Sequence, residues 1–202
     1  MSSGVVAVIR TNHPEYALTI GRGLSETTVD SIEITMTVPN AIDVIERLIG
    51  EGVQRVGGGT VRTIEQVQRL AKVGATFVVS PHLDEKIVKE SVRLGLPVTP
   101  GTLTPSEMVQ AMNWGATSQK VFPINAVGGQ SYVKSVLEPL PDLSLVVSGG
   151  VRTYEVNSYL DLGCVGVCLG GALWRVSDAA SGDPSKVKEY AVGALARVAV
   201  GK

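Results

Sequence analysis

The chain is poor in the residues that build metal centres and disulfide frameworks. It has 202 residues but only 2 cysteines and 2 histidines. Cys164 and Cys168 lie four apart around the start of a strand-like run, too close in an extended chain to bridge. No histidine lies near them, and His13 and His82 are far apart, so a zinc framework lacks ligands. Charge is also scarce, at 18% of residues with a net of -1, and no basic stripe or acidic tail stands out. Nucleic acid therefore has no electrostatic footprint to bind. No apolar run reaches the roughly 18 residues of a membrane span. The opening Met1-Ser2-Ser3-Gly4 lacks the positive flank and small-residue cleavage site of a signal peptide. A cytoplasmic protein with no membrane partner is expected. Hydrophobic residues at 44% exclude a disordered chain and allow a sizeable core.

Aromatics reach only 4%, whereas glycine is frequent. Short β-branched runs alternate with helical patterns, and Gly, Pro or Thr marks each junction. Strands are expected at 5–10, 31–35, 54–57, 77–81, 97–101, around Lys120, at 143–147 and at 165–169. Between them, Ile42, Ile45, Leu48 and Ile49 share a helical face, and Gly74 and Gly95 end helices. Thr104-Pro105-Ser106-Glu107 spells a helix start, with Thr104 as cap and Glu107 three residues on. A last helix is expected at 185–200, after a polar loop at 177–184. These are eight strand–helix units with no linker. They predict an α/β protein, a (β/α)8 TIM barrel forming a single domain over 1–202. A doubly wound open sheet is the alternative that the same alternation permits.

Enzymes built on parallel sheets place their reactive groups at strand C-termini. Side chains alternate along a strand, so Ser31, Glu33 and Thr35 are expected inside the barrel, opposite Ile32 and Ile34. By the same parity Ser118, Lys120 and Phe122 face inward, as do Val6, Val8 and Arg10. Glu33, Lys120 and Arg10 can thus converge. A carboxylate and a lysine inside a barrel form either a structural ion pair or an imine-forming couple. A free lysine, titrating near about 10.4, is a poor nucleophile at neutral pH, and desolvation favours its neutral amine. The protonated imine then serves as an electron sink for carbon–carbon cleavage without a metal. Gly149-Gly150 and Gly170-Gly171 close two adjacent strands, where TIM barrels often bind phosphate.

Six segments occur in order: 31–39 (Ser-Ile-Glu-Ile-Thr-Met-Thr-Val-Pro), 57–61 (Gly-Gly-Gly-Thr-Val), 80–83 (Ser-Pro-His-Leu), 99–107 (Thr-Pro-Gly-Thr-Leu-Thr-Pro-Ser-Glu), 120–123 (Lys-Val-Phe-Pro) and 148–151 (Ser-Gly-Gly-Val). Together they resemble the 2-keto-3-deoxy-6-phosphogluconate (KDPG) and 4-hydroxy-2-oxoglutarate (KHG) aldolases over nearly the whole chain. The resemblance implies a homotrimeric class I aldolase needing no cofactor or metal. Its substrate would be a phosphorylated 2-keto-3-deoxy sugar acid, cleaved to pyruvate and glyceraldehyde 3-phosphate. By motif position, Lys120 would be the imine-forming lysine and Glu33 the general acid/base. Thr60 would contact the pyruvate portion, Pro81 and Phe122 would shape the pocket, and Gly149, Gly150, Gly170 and Gly171 would hold phosphate.

The chain departs from the family pattern at three places, one being the leading helix, which is nearly absent because the first strand starts at Val5, so a less well plugged barrel bottom is expected. Many members carry arginine at the position of Thr37, where it meets the substrate carboxylate. Members with Thr or Asn there include sequences similar to 2-keto-3-deoxy-6-phosphogalactonate aldolase, and Arg10 is the expected replacement. Where serine often follows the second glycine pair, this chain has Ala172. A phosphosugar isomerase or epimerase, or a non-catalytic binding barrel, are the other readings that these residues leave open.

Overall fold

The β-branched runs form strands that alternate with helices throughout the computed structural model, which describes residues 4–198. Both ends of the expected 1–202 domain, and the last residues of the expected 185–200 helix, lie outside the described residues. The order is β1 (Val5–Ile9), α1 (Pro14–Ser25), β2 (Ser31–Thr35), α2 (Ala41–Gly50), β3 (Val56–Gly59), α3 (Ile64–Lys72), β4 (Val78–Val79), α4 (Glu85–Arg93) and β5 (Val98–Thr99). It continues with β6 (Gly101–Thr102), α5 (Pro105–Asn113), β7 (Gln119–Val121), α6 (Gln130–Leu137), β8 (Leu145–Val147), α7 (Val156–Asp161), β9 (Gly166–Leu169), α8 (Val176–Ala180) and α9 (Pro184–Leu195).

All pairings between strands are parallel, and β1 sits between β2 and β9. Neighbours follow the sequence around the sheet, from β5 back to β1 and from β9 back to β6. An open doubly wound sheet would reverse that order partway, so the topology is a barrel. The ring is nearly closed. Its gap lies between β5 and β6, which flank Pro100 within one continuous stretch of chain. Proline offers no N–H to the ladder, so the expected strand at 97–101 splits there. The Pro100 carbonyl still accepts the Lys120 N–H at 2.9 Å. Nine strand segments therefore fill eight strand positions.

The helix starts follow their capping residues. The Asp84 side chain accepts the N–H groups of Lys86 and Ile87. Thr104 and Glu107 form a reciprocal capping box. Along β1, Val5, Ala7 and Ile9 are fully buried against the helix layer, while Val6 and Val8 face the barrel interior with partial exposure. The core between strands and helices is aliphatic, with Ile34, Ile45, Leu48, Leu70 and Leu145 at 0% exposure. Each such side chain contributes roughly 1.5–3 kcal/mol by leaving water.

Several elements differ from expectation, among them β4, Val78–Val79 rather than 77–81, and β8, Leu145–Val147 rather than 143–147. The β3 strand runs Val56–Gly59 rather than 54–57, so Gly58 and Gly59 are strand, not turn. The polar stretch after β9 contains helix α8, in which Ala179 is buried and Arg175 pairs with Asp178 at 2.9 Å. The final helix α9 packs on α1, and Lys188 reaches Glu26 at 2.7 Å.

Candidate active site

Lys120 stands in the middle of β7 with 6% exposure, and Glu33 in the middle of β2 with 3%. Together they make a buried carboxyl–amine couple within one barrel. Room for the Glu33 carboxyl comes from β3. A Cβ at Gly59 would lie 1.7 Å from Glu33 Oε1 and 2.4 Å from its Cγ, so only glycine leaves this space. Burial pushes the Glu33 carboxyl above the ordinary Glu value of 4.5, against the pull of Lys120 and then Arg10. A carboxyl raised in this way can hold and release a proton nearer neutral pH than a surface glutamate can. Lys120 Nζ also lies 5.2 Å from the centroid of the Phe122 ring, which is 39% exposed at the strand C-terminal mouth.

Arg10 follows the end of β1 and is exposed. Its guanidinium donates to Thr37 Oγ1 at 2.8 Å and to Thr60 Oγ1 at 3.1 Å. Behind this lies a directed hydroxyl chain. Thr35 Oγ1 donates to the Ile9 carbonyl at 3.1 Å, which uses its single proton. The 2.9 Å contact between Thr35 and Thr37 hydroxyls therefore has Thr37 as donor. Arg10, Thr37, Thr35 and Ile9 form one chain with every donor used in one direction, an arrangement in which successive bonds reinforce each other. Thr60 has φ 56. A β-branched residue rarely adopts that left-handed region, and strain of this kind concentrates at binding sites.

The two glycine pairs meet around a cavity of about 290 Å³, lined also by Val8, Ser148, Cys168 and Ala172. Gly149 and Gly150 have φ of 100 and 85. A Cβ at Gly149 would fall 2.9 Å from Pro123 Cα, and one at Gly150 would fall 2.4 Å from Asn125 Nδ2. Nothing stands within 4 Å of a Cβ at Gly171, where the backbone faces open space. Pro81 is half-buried, and its carbonyl packs against Gly101, the register partner of Lys120.

The residues expected at the site thus fall into neighbouring groups on the C-terminal side of the barrel. Glu33 couples electrostatically to both Lys120 and Arg10, Arg10 ties in Thr37 and Thr60, and the glycine pairs share one cavity. Sequence reasoning missed three contributors. Thr35 shares a face with Glu33, but its hydroxyl chain runs through residues distant in sequence. Ser148, just before a glycine pair, lines the cavity between the pairs together with Cys168. Cys168 pairs in register with the inward-facing Val6. Strand parity with Val6 is the signal that places it inside the barrel. Both cysteines are free and buried, and burial pushes both thiols up to about 12.

Comparison with known proteins gives concordant matches. A family model described as KDPG and KHG aldolase matches residues 1–190. The chain is 32% identical over 175 residues to the 2-dehydro-3-deoxy-6-phosphogalactonate aldolase of Escherichia coli (strain K12), covering 85% of this chain and 84% of the relative. It is 33% identical over 199 residues to the 2-dehydro-3-deoxy-phosphogluconate aldolase of Dickeya dadantii (strain 3937), covering 97% and 90%. Among solved structures, KDPG aldolase from Legionella pneumophila, with pyruvate captured as a covalent carbinolamine intermediate, aligns with a TM-score of 0.85 at 25% identity. That alignment covers 96% of this chain and 94% of that one.

Proposed function

The chain belongs to the KDPG and KHG aldolase family, and on that premise we propose that it cleaves a phosphorylated 2-keto-3-deoxy sugar acid through an imine on Lys120. The observation that carries this reading is the buried couple itself: Lys120 and Glu33, each under a tenth exposed, sharing one barrel interior. The captured pyruvate intermediate of the Legionella pneumophila relative supports covalent chemistry in this fold.

Neutral Lys120 Nζ adds to the C2 carbonyl, the carbinolamine hydroxyl takes up a proton from solvent and leaves as water, and a protonated imine remains. Glu33 takes the proton of the 4-hydroxyl. The C3–C4 electron pair moves into the imine, releasing glyceraldehyde 3-phosphate and leaving an enamine. Glu33, now protonated, returns a proton to C3, and water hydrolyses the resulting pyruvate imine. Arg10 meets the substrate carboxylate, held there by Thr37 and Thr60. Phe122 and Pro81 bound the pocket. The backbone at Gly149, Gly150, Gly170 and Gly171 receives the phosphate.

A galactonate-type substrate is the second reading. Thr37 stands where many relatives carry arginine, and Arg10 is bonded to it, which supports a carboxylate site of the phosphogalactonate kind. The resemblance further implies a homotrimer, which sedimentation equilibrium would check. Catalysis is tested by cleavage assays on the gluconate-type and galactonate-type phosphorylated acids beside 4-hydroxy-2-oxoglutarate. Turnover of a phosphorylated acid with release of pyruvate supports the proposal. No pyruvate from any of the three would refute it.

A further inference from the structure

TIM-barrel interiors are ordinarily packed solid by bulky branched side chains. Among the described residues, the half nearest the strand N-termini is open. A cavity of about 370 Å³ enters there, with the exposed Thr76, Thr117 and Val165 on its rim. It runs inward past Thr99 and Ser118 to Lys120. Ser31 and Gly166 occupy lining positions where a leucine would fill the space. The volume is many times the roughly 15 Å³ that a water requires. The Thr99 and Ser118 hydroxyls, 2.7 Å apart, still have hydrogen-bonding capacity beyond their mutual bond. A space lined in this way holds water rather than staying dry.

This cavity is distinct from the one between the glycine pairs, and Cys168 lines both. Lys120 therefore lies between two approaches. Phe122 stands on the C-terminal side, 5.2 Å from Nζ, and the basal cavity opens on the other. Imine chemistry needs water at this nitrogen in both directions. One water leaves each carbinolamine as the C–O bond breaks and the imine forms, and one adds to the imine carbon on hydrolysis. A sugar acid lying over Phe122 and the glycine pairs closes the upper approach.

We infer that the basal cavity is a water conduit, through which Lys120 exchanges the water of imine formation and hydrolysis while substrate occupies the opposite mouth. This rests on the Lys120 imine reading. It gives the lower barrel a catalytic use and makes the strand N-terminal end a place where small blocking groups slow turnover without touching the substrate site.

The test is a removable plug. Val165→Cys, on a side chain 55% exposed, is labelled with methyl and then benzyl methanethiosulfonate. The unsubstituted protein, whose thiols are buried and pushed up to about 12, serves as the labelling control. Thr117→Cys carries the same labels from another strand end, and melting curves identify any label that unfolds its host. The benzyl label should lower turnover of the phosphorylated keto acid at least fivefold. The methyl label should have little effect, and dithiothreitol should restore the rate. Borohydride-trapped pyruvate adduct at equilibrium should be unchanged by either label. Parent-like turnover in folded, stoichiometrically benzyl-labelled protein would overturn the conduit. Absence of adduct in the unlabelled protein would instead overturn the imine reading beneath it.

Discussion

Gly59→Ala adds a single methyl group, and that group lands on Glu33, the proposed proton carrier. The new Cβ would sit 1.7 Å from Glu33 Oε1, 2.3 Å from Cδ and 2.4 Å from Cγ. Because Cγ is among the clashing atoms, rotating the carboxyl alone cannot relieve the contact, and the whole side chain must swing from Cβ. Glu33 is 3% exposed, so it swings within the barrel and away from its present relation to Lys120. Overpacking of this kind costs roughly 1–3 kcal/mol of stability. The catalytic cost is larger in relative terms. A positioned acid/base contributes about 10²–10⁴ in rate, and misplacing a reacting group by ~1 Å costs about 10². Cleavage followed by a coupled pyruvate assay should therefore fall at least 100-fold, while borohydride trapping of pyruvate persists, because imine formation is the task of Lys120. A folded Gly59→Ala protein with near-parental cleavage would show that the position of Glu33 does not control the rate.

Thr37→Val removes the acceptor for Arg10 and breaks the hydroxyl chain to Ile9. A hydrogen bond to a charged group is worth about 1.5–3 kcal/mol, so steady-state kinetics should show KM raised about tenfold or more with kcat little changed. For pH, burial raises Glu33 in the folded chain, so the folded state binds this proton more tightly than the unfolded state. Its stabilising contribution is full below the ordinary value of 4.5 and is lost as pH rises through the elevated folded value. Glu33→Gln should thus gain stability relative to the parent across that window, as read by denaturant melts at stepped pH. Ala172→Ser adds a hydroxyl beside the cavity between the glycine pairs. It should lower KM for phosphorylated keto acids and leave unphosphorylated ones unchanged.

Much of the fold was legible because alternation along short strands is a strict geometric rule. The parity that puts Val6, Ser31 and Ser118 inside also puts Lys120 and Glu33 inside, and the basal cavity lining includes the first three and Lys120. Helix starts at Asp84 and Thr104 were written in their capping chemistry. The limits were equally physical. Gly58 and Gly59 read as turn residues, yet both continue the parallel pairing with β2, opposite Ile34 and Thr35. Pro100 interrupts a ladder without interrupting the barrel, which local propensity cannot express. Arg10 was recognisable as a cation near the mouth. Its bonds to Thr37 and Thr60 span 27 and 50 residues and required the fold. The volume of the basal cavity depends on side chains from separate strands, a quantity that no single segment carries.

The central claim is that the Lys120 amine forms an imine with a keto acid. Incubating the protein with pyruvate, reducing with borohydride and mapping the modified peptide by mass spectrometry measures this directly. One pyruvate-derived secondary amine per chain is expected, located on Lys120 and absent from Lys120→Met. Unmodified Lys120 in a protein that still cleaves its sugar acid would contradict it.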